Sequence, residues 1–358
     1  MDDAAHAHAV NDVAGDVFTK LLGGIETLSI YLGDRLGLYR ALQDAPATPS
    51  ELAARAGVHE RYAREWLEHQ AVAGLLQTET DAAGSQRFAL PAAQGEVLAD
   101  PSSLAYSAPL ARMLVAAASR LPELMEAFRS GGGVEWASFG PDARDAQGDV
   151  NRPWFEFALA GALTEVADVH DVLSRDGARI ADVGCGHGWS TISLARAYPR
   201  ASVDGFDLDE PSIEAARAHA EGAPNTTFTV LAGEAVAEGR EGAYDAAMIF
   251  EALHDMPDPV GVLASLHRAV KHDGVVVVMD EAVAESFAAP GDEIERAMYG
   301  YSVFICLPDS LSTPGSVGTG TVMRRSTLEG YARAAGFSGV RVLPIEGFAA
   351  FRFYLIER

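Results

Sequence analysis

The stretch Ala181-Asp-Val-Gly-Cys-Gly-His-Gly-Trp189 constrains what this chain can fold into more than any other. An apolar segment, Ala178-Arg-Ile-Ala181, precedes it, and residues 190–197 follow with Ile192, Leu194 and Ala195 on one helical face. The reading is a strand, a glycine turn and a helix. Gly184, Gly186 and Gly188 carry no Cβ, so the turn can take positive φ and a ligand can come close to the backbone. Asp182 closes the strand and aims a carboxylate toward whatever the glycines cradle. The spacing G-C-G-H-G is not the dinucleotide G-x-G-x-x-G, and no P-loop Lys-Ser/Thr follows.

Three more strand ends narrow the choice. Residues 202–209 read as a second strand ending in acids, and Asp207 lies about 20 residues past the glycines, where a carboxylate can accept both hydroxyls of a ribose. Residues 228–234 and 244–254 supply a third and a fourth strand end, and four consecutive valines in residues 274–280 suit the buried middle of a parallel sheet. Taken in order, these ends resemble a class I S-adenosylmethionine-dependent methyltransferase over roughly residues 165–358. The resemblance implies an α/β, Rossmann-like sheet closed by an antiparallel pair drawn from residues 340–344 and 351–356. It also implies S-adenosylmethionine as cofactor. Asp182, Gly184, Gly186 and Gly188 would then give the cofactor its close approach to the backbone, Asp207 would take the ribose hydroxyls, and Leu208 would pack on the adenine. Gly233 and Glu234 would stand beside the adenine amine, where relatives have Gly-Asp, and Phe250 would reach the methionine end. His187 is expected to be a turn residue facing solvent.

Methyl transfer is a displacement at carbon, so an enzyme acting on a hydroxyl must align it with the sulfonium and remove its proton. Ala252-Leu-His-Asp-Met-Pro-Asp-Pro259 resembles the His-Asp-Trp segment of plant-type O-methyltransferases, with Met256 in place of Trp. That resemblance implies His254 as general base, oriented by Asp280 or the adjacent Glu281. The plain rival is that His254 only ties down its loop. A carbon or nitrogen acceptor would need positioning rather than a base. His254, Asp255, Asp280 and Glu281 would together suit iron or zinc, yet no H-x-x-H or C-x-x-C spacing supports a site and no metal is expected.

Ahead of this domain, residues 1–12 read as a frayed tail, and residues 13–42 as one long helix or two broken near Gly23-Gly24. Thr48-Pro-Ser-Glu51 fits a capped helix start. With residues 61–74 as the next helix and two strands around Gly84, the pattern resembles a winged helix-turn-helix. Winged helices often read DNA, so a regulator with a sensory cofactor domain is the rival from another class. Between residues 48 and 79, however, Glu51, Glu60, Glu65, Glu68 and Glu79 face only Arg55, Arg61 and Arg64, and the whole chain carries a net charge of -24. Such a balance repels phosphate backbones and anionic lipid. The winged domain of small-molecule O-methyltransferases implies instead a homodimer and a small-molecule acceptor.

The expected organisation is a winged-helix and dimerisation domain over 1–110, a helical connector and substrate cover over 111–172, and the Rossmann-like domain over 173–358 with a lid insertion near 284–322. Within the connector, residues 110–128 and 151–172 read as helical. Trp136, Phe139, Trp154, Phe155 and Phe157 belong either to its core or to the wall of an apolar pocket. The acidic N-terminus lacks the regions of a signal peptide, no apolar run reaches membrane-span length, and Cys185 and Cys306 are the only cysteines. A cytoplasmic protein is the expectation.

Overall fold

The computed structural model describes residues 3–82 and 84–358, and the chain divides into two compact units after Val115. In the first unit the helix Asp3–Arg35 runs straight through Gly23 and Gly24, and ends where Gly37 adopts a left-handed conformation. The expected frayed tail is therefore helical from residue 3, while residues 1 and 2 lie outside the described residues. Neither glycine has a neighbour within 4 Å of a built Cβ, so each sits on an open helix face and imposes no break. Val10, Val13, Val17, Leu21, Leu28 and Leu32 form an exposed apolar stripe along this helix.

The next helix, Pro49–Ala56, starts with a full capping box: Thr48 Oγ1 accepts from Glu51 N, and Glu51 Oε2 accepts from Thr48 N at 2.9 Å. Helix Glu60–Val72 follows, then a two-stranded wing of β1 (Gln77–Thr80) and β2 (Gln86–Ala89), antiparallel. Leu38, Tyr39, Leu52, Leu67 and Phe88 close the core of this unit. On helix Glu60–Val72 the two arginines are spent on their own helix, Arg61 against Glu65 and Arg64 against Glu60 at 3.3 Å. That leaves no basic face of the kind a DNA-reading helix needs.

The second unit is built on seven strands. They are β3 (Arg179–Val183), β4 (Ser202–Asp207), β5 (Thr226–Val230), β6 (Tyr244–Phe250), β7 (Val270–Glu281), β8 (Gly339–Val342) and β9 (Phe351–Glu357), in the order β5-β4-β3-β6-β7-β9-β8. β9 pairs antiparallel with both its neighbours and every other ladder is parallel. Two cores sandwich the sheet, as the alternation of side chains along each strand requires. Ala246, Met248 and Phe250 of β6 face one core with Val277 and Met279 of β7, while Ala247 and Ile249 face the other with Val276 and Val278. Tyr244 has the parity of the first set but lies in the second, because the β6–β7 ladder shifts register between Tyr244 and Ala246.

Strand order reverses at β3, whose neighbours are β4 and β6. Ligands of open α/β sheets bind in the crevice beyond the carboxyl ends at such a point. Residues 110–128 form two helices, Ala108–Ala118 and Leu121–Ser130, separated at residues 119–120. The later helical stretch begins at Trp136, and Trp154–Leu159 within it is a π-helical turn. Phe139 and Phe155 are core residues, Trp154 packs on Phe348 with ring centres 5.2 Å apart, and Phe157 is exposed. Between β7 and β8 lie helix Glu293–Tyr301, a second π turn Ser302–Cys306, and helix Leu307–Ser312. No helix among the described residues is long and apolar enough to cross a membrane.

Candidate active site

At the end of β3, Asp182 is 1% exposed and its Oδ2 accepts from the hydroxyls of Ser190 and Thr191, each at 2.6 Å. Strand and following helix are thereby tied through one oxygen. The other, Oδ1, is buried with no hydrogen bond. Burial, only partly offset by the two hydroxyls, raises the carboxyl to about 6. A carboxyl raised on folding stabilises below its unfolded value, and that contribution is lost as pH climbs through the folded one. From pH 4 to pH 7, then, the ligand-free protein should lose about 2–3 kcal/mol of unfolding free energy through Asp182. Denaturant melts of Asp182→Asn at the two pH values should lack that difference, and equal slopes would refute the assignment.

The three glycines divide by role. A Cβ on Gly184 would stand 2.5 Å from that of Ala252, and one on Gly188 would meet Ala216 and Phe228 at 2.8 Å, so both allow protein to pack on protein. Only Gly186, at φ 49°, has nothing within 4 Å, which makes it the glycine that leaves room for a ligand. Its N–H donates to Asp207 Oδ2 at 2.8 Å, while Asp207 Oδ1 accepts from Asp209 N at 2.9 Å. Each oxygen keeps a second lone pair. Leu208 beside it is 65% exposed. Gly233 is buried against Val262 and Val183, and Glu234 is half-buried in a 3₁₀ turn. Phe250 is the last residue of β6, packed against Phe155 and Phe353 in the core, so the residue that stands free at the strand end is Glu251. His187 is half-buried against Gly148 and His219 rather than facing solvent.

Glu251 has φ 52°, left-handed for a residue with a Cβ, and Asn151 donates to its carboxyl at 2.6 Å. Burial raises Glu251 to about 7. Three residues on, His254 is buried, with Nδ1 3.0 Å from Asp280 Oδ1 and 3.3 Å from Glu281 Oε2, at the end of β7. Nε2 lies 3.3 Å from Asp255 Oδ1. The sheet thus brings His254, Asp280 and Glu281 into one cluster, with both acids touching the ring. Burial disfavours charge on His254, but Asp255, Glu281 and Asp280 together overcome it and hold its pKa well above the ordinary value. Burial pushes Glu281 up strongly; it also pushes on Asp280, where the charge of His254 and the hydrogen bond from Glu281 prevail and keep it ionised. The Asp280 carboxylate therefore lies between Glu281 and the Nδ1 edge of His254.

Sequence reasoning missed several members. Asn151 and Arg144, which donates to Asp209 at 2.7 Å, come from the helix Trp136–Pro153 and had no motif to mark them. Asp309 accepts from Trp136 N at 2.7 Å and is raised to about 7 by burial. Cys306, the last residue of the second π turn, brings its sulfur within 4.8 Å of a ring nitrogen of His254, and burial drives its thiol up. Glu251 could have been found, since it directly follows the fully buried β6.

A crevice at the β3 switch point, ringed by strand-end acids, with only the strand before last reversed along the edge β7-β9-β8, is the class I methyltransferase arrangement. The comparisons agree. Residues 180–274 match the family described as "Methyltransferase domain", and residues 24–100 match the "Rv2258c-like winged HTH domain". The ubiquinone biosynthesis O-methyltransferase of Ralstonia nicotianae is 30% identical over 179 residues, 48% of this chain and 67% of that protein. That of Pseudomonas aeruginosa is 36% identical over 101 residues, 28% of this chain and 43% of its own length. Among solved structures, the mitomycin 7-O-methyltransferase MmcR superposes with TM-score 0.68 at 22% identity, covering 99% of both chains. Human N-acetylserotonin methyltransferase in complex with SAM gives 0.67 at 18% identity, covering 100% of this chain and 98% of the other. The chain belongs to the class I S-adenosylmethionine-dependent methyltransferases, with a winged-helix domain ahead of the catalytic one.

Proposed function

We propose that this methyltransferase moves the methyl group of S-adenosylmethionine to a hydroxyl oxygen of a small, partly apolar acceptor. The observation that carries the acceptor atom is the buried contact of His254 Nδ1 with Asp280 at 3.0 Å, at the ends of two strands that border the cofactor crevice. With Nδ1–H committed to Asp280, Nε2 is the nitrogen left to receive the acceptor's proton as the oxygen attacks the methyl carbon. The carboxylates make it a stronger base and fix its orientation. A positive sulfonium nearby opposes the charge they favour and helps the imidazole shed its own proton before the attack.

On the cofactor side, Gly186 gives the room, Asp207 takes the ribose hydroxyls, and exposed Leu208 covers the adenine. The unpaired Oδ1 of Asp182 suits the ammonium of the methionine tail. Gly233 and Glu234 sit at the end of β5, where the adenine edge would fall. The test is turnover with methyl-labelled cofactor against phenols, hydroxy acids, amines and activated carbons. An O-methyl product is expected, whereas selective N- or C-methylation would replace this reading with one of positioning alone.

The stripe on helix Asp3–Arg35 supports a homodimer, because six large apolar side chains in a row along one exposed face call for cover. Leu21→Glu with Leu28→Glu should convert the dimer to a monomer by light scattering, and an unchanged mass would refute it. A cytoplasmic enzyme fits the two free thiols.

A further inference from the structure

We propose that the outward side of His254 is a site for a soft divalent metal ion of the zinc or cobalt class, held by Nε2 of His254, a carboxylate oxygen of Asp255 and the sulfur of Cys306. The ligand atoms of these three residues all lie within 4.8 Å of one another, the span that one ion can bridge. Asp255 Oδ1 is buried, accepts no hydrogen bond and faces Nε2 at 3.3 Å. The ring is fixed from behind, where Nδ1 meets Asp280 at 3.0 Å. A carboxylate on one imidazole nitrogen and a metal on the other is the arrangement that orients histidine ligands.

Charge points the same way. Asp280 and Glu281 are 0% and 3% exposed, and each has a buried oxygen without a hydrogen bond, Oδ2 and Oε2. Three carboxyl groups converge on one imidazole, and a cation on its outward side would face the carboxyl group of Asp255 directly and that of Asp280 across the ring. Sulfur and nitrogen beside a single carboxylate exclude magnesium and calcium and select a softer cation. Three protein ligands leave a fourth tetrahedral position, and Asp255 and Cys306 are only partly buried, so that position can be reached. Cys306 ends the π turn Ser302–Cys306, whose extra residue rotates the side chains that follow it, a device common at functional sites.

The site stands on this geometry and goes beyond the methyl-transfer reading, with which it shares one atom. While a metal holds Nε2, that nitrogen cannot take a proton, so zinc should slow turnover and a chelator should restore it.

The probe is cobalt(II), titrated into the full-length, chelator-stripped, reduced protein. One equivalent should produce a near-ultraviolet thiolate-to-cobalt band that zinc bleaches. Cys306→Ser should lose the band, and Asp255→Asn should weaken binding at least tenfold, both variants still binding S-adenosylhomocysteine by calorimetry to show that they are folded. No band in the wild type, or a band unchanged in Cys306→Ser, overturns the site and leaves methyl transfer untouched. Turnover that rises with metal keeps the site and overturns His254 as the base.

Discussion

Replacing His254 with alanine is expected to lower kcat by about 10²- to 10⁴-fold, the usual contribution of a positioned general base. S-adenosylmethionine should still bind, because no cofactor contact is assigned to this ring. The substitution has a second cost. It strips Asp280 and Glu281 of their partner inside the protein, and breaking a buried ion pair costs about 3–5 kcal/mol. The assay therefore belongs well below the variant's thermal midpoint. His254→Gln separates the two effects, since its amide can donate to Asp280 but has no nitrogen that takes a proton at neutral pH. It should recover much of the stability and none of the rate. A glutamine variant with wild-type kcat would show that the ring only holds its loop.

Asp207→Ala should weaken S-adenosylmethionine by about 10²- to 10³-fold, or roughly 3–4 kcal/mol. Two parts add. A carboxylate accepting from two hydroxyls makes charge-assisted bonds worth about 1.5–3 kcal/mol each. The same carboxylate also anchors Gly186 N and Asp209 N, so its loss frees the turn that must be still before the cofactor arrives. Asp207→Asn should fall between, because its one remaining oxygen can serve one backbone amide and one hydroxyl but not all four donors. Calorimetry on folded protein measures both, and full affinity in the alanine variant would remove Asp207 from the site.

The catalytic domain was readable from sequence because its signals are local. Each strand of a parallel sheet is a short apolar run that ends in a loop, so Asp182, Asp207 and His254 could be placed at strand ends without knowing what lay opposite them. Pairing across strands was harder, yet Asp280 and Glu281 emerged because β7 is a run of valines with an obvious end. What stayed hidden comes from elements with no pattern of their own. Cys306 meets His254 only because a π turn rotates it there, and Asn151 reaches Glu251 from a helix a hundred residues earlier. Phe250 lies in the strand rather than after it, as the last residue of β6 with its ring among core side chains. The glycines were credited alike, although only Gly186 leaves space for a ligand. At Gly23-Gly24 composition suggests a break that the rest of the 33-residue helix simply overrides.

Glu251 carries a final consequence for how such an enzyme can change. A left-handed backbone costs a non-glycine residue about 1–2 kcal/mol, and glycine at this position would relieve it. Breeding for heat tolerance alone would drift toward that glycine. The drift would also erase the carboxyl group that ties Asn151 to the end of β6, so the relief in the backbone would come with the loss of a 2.6 Å hydrogen bond between two distant elements.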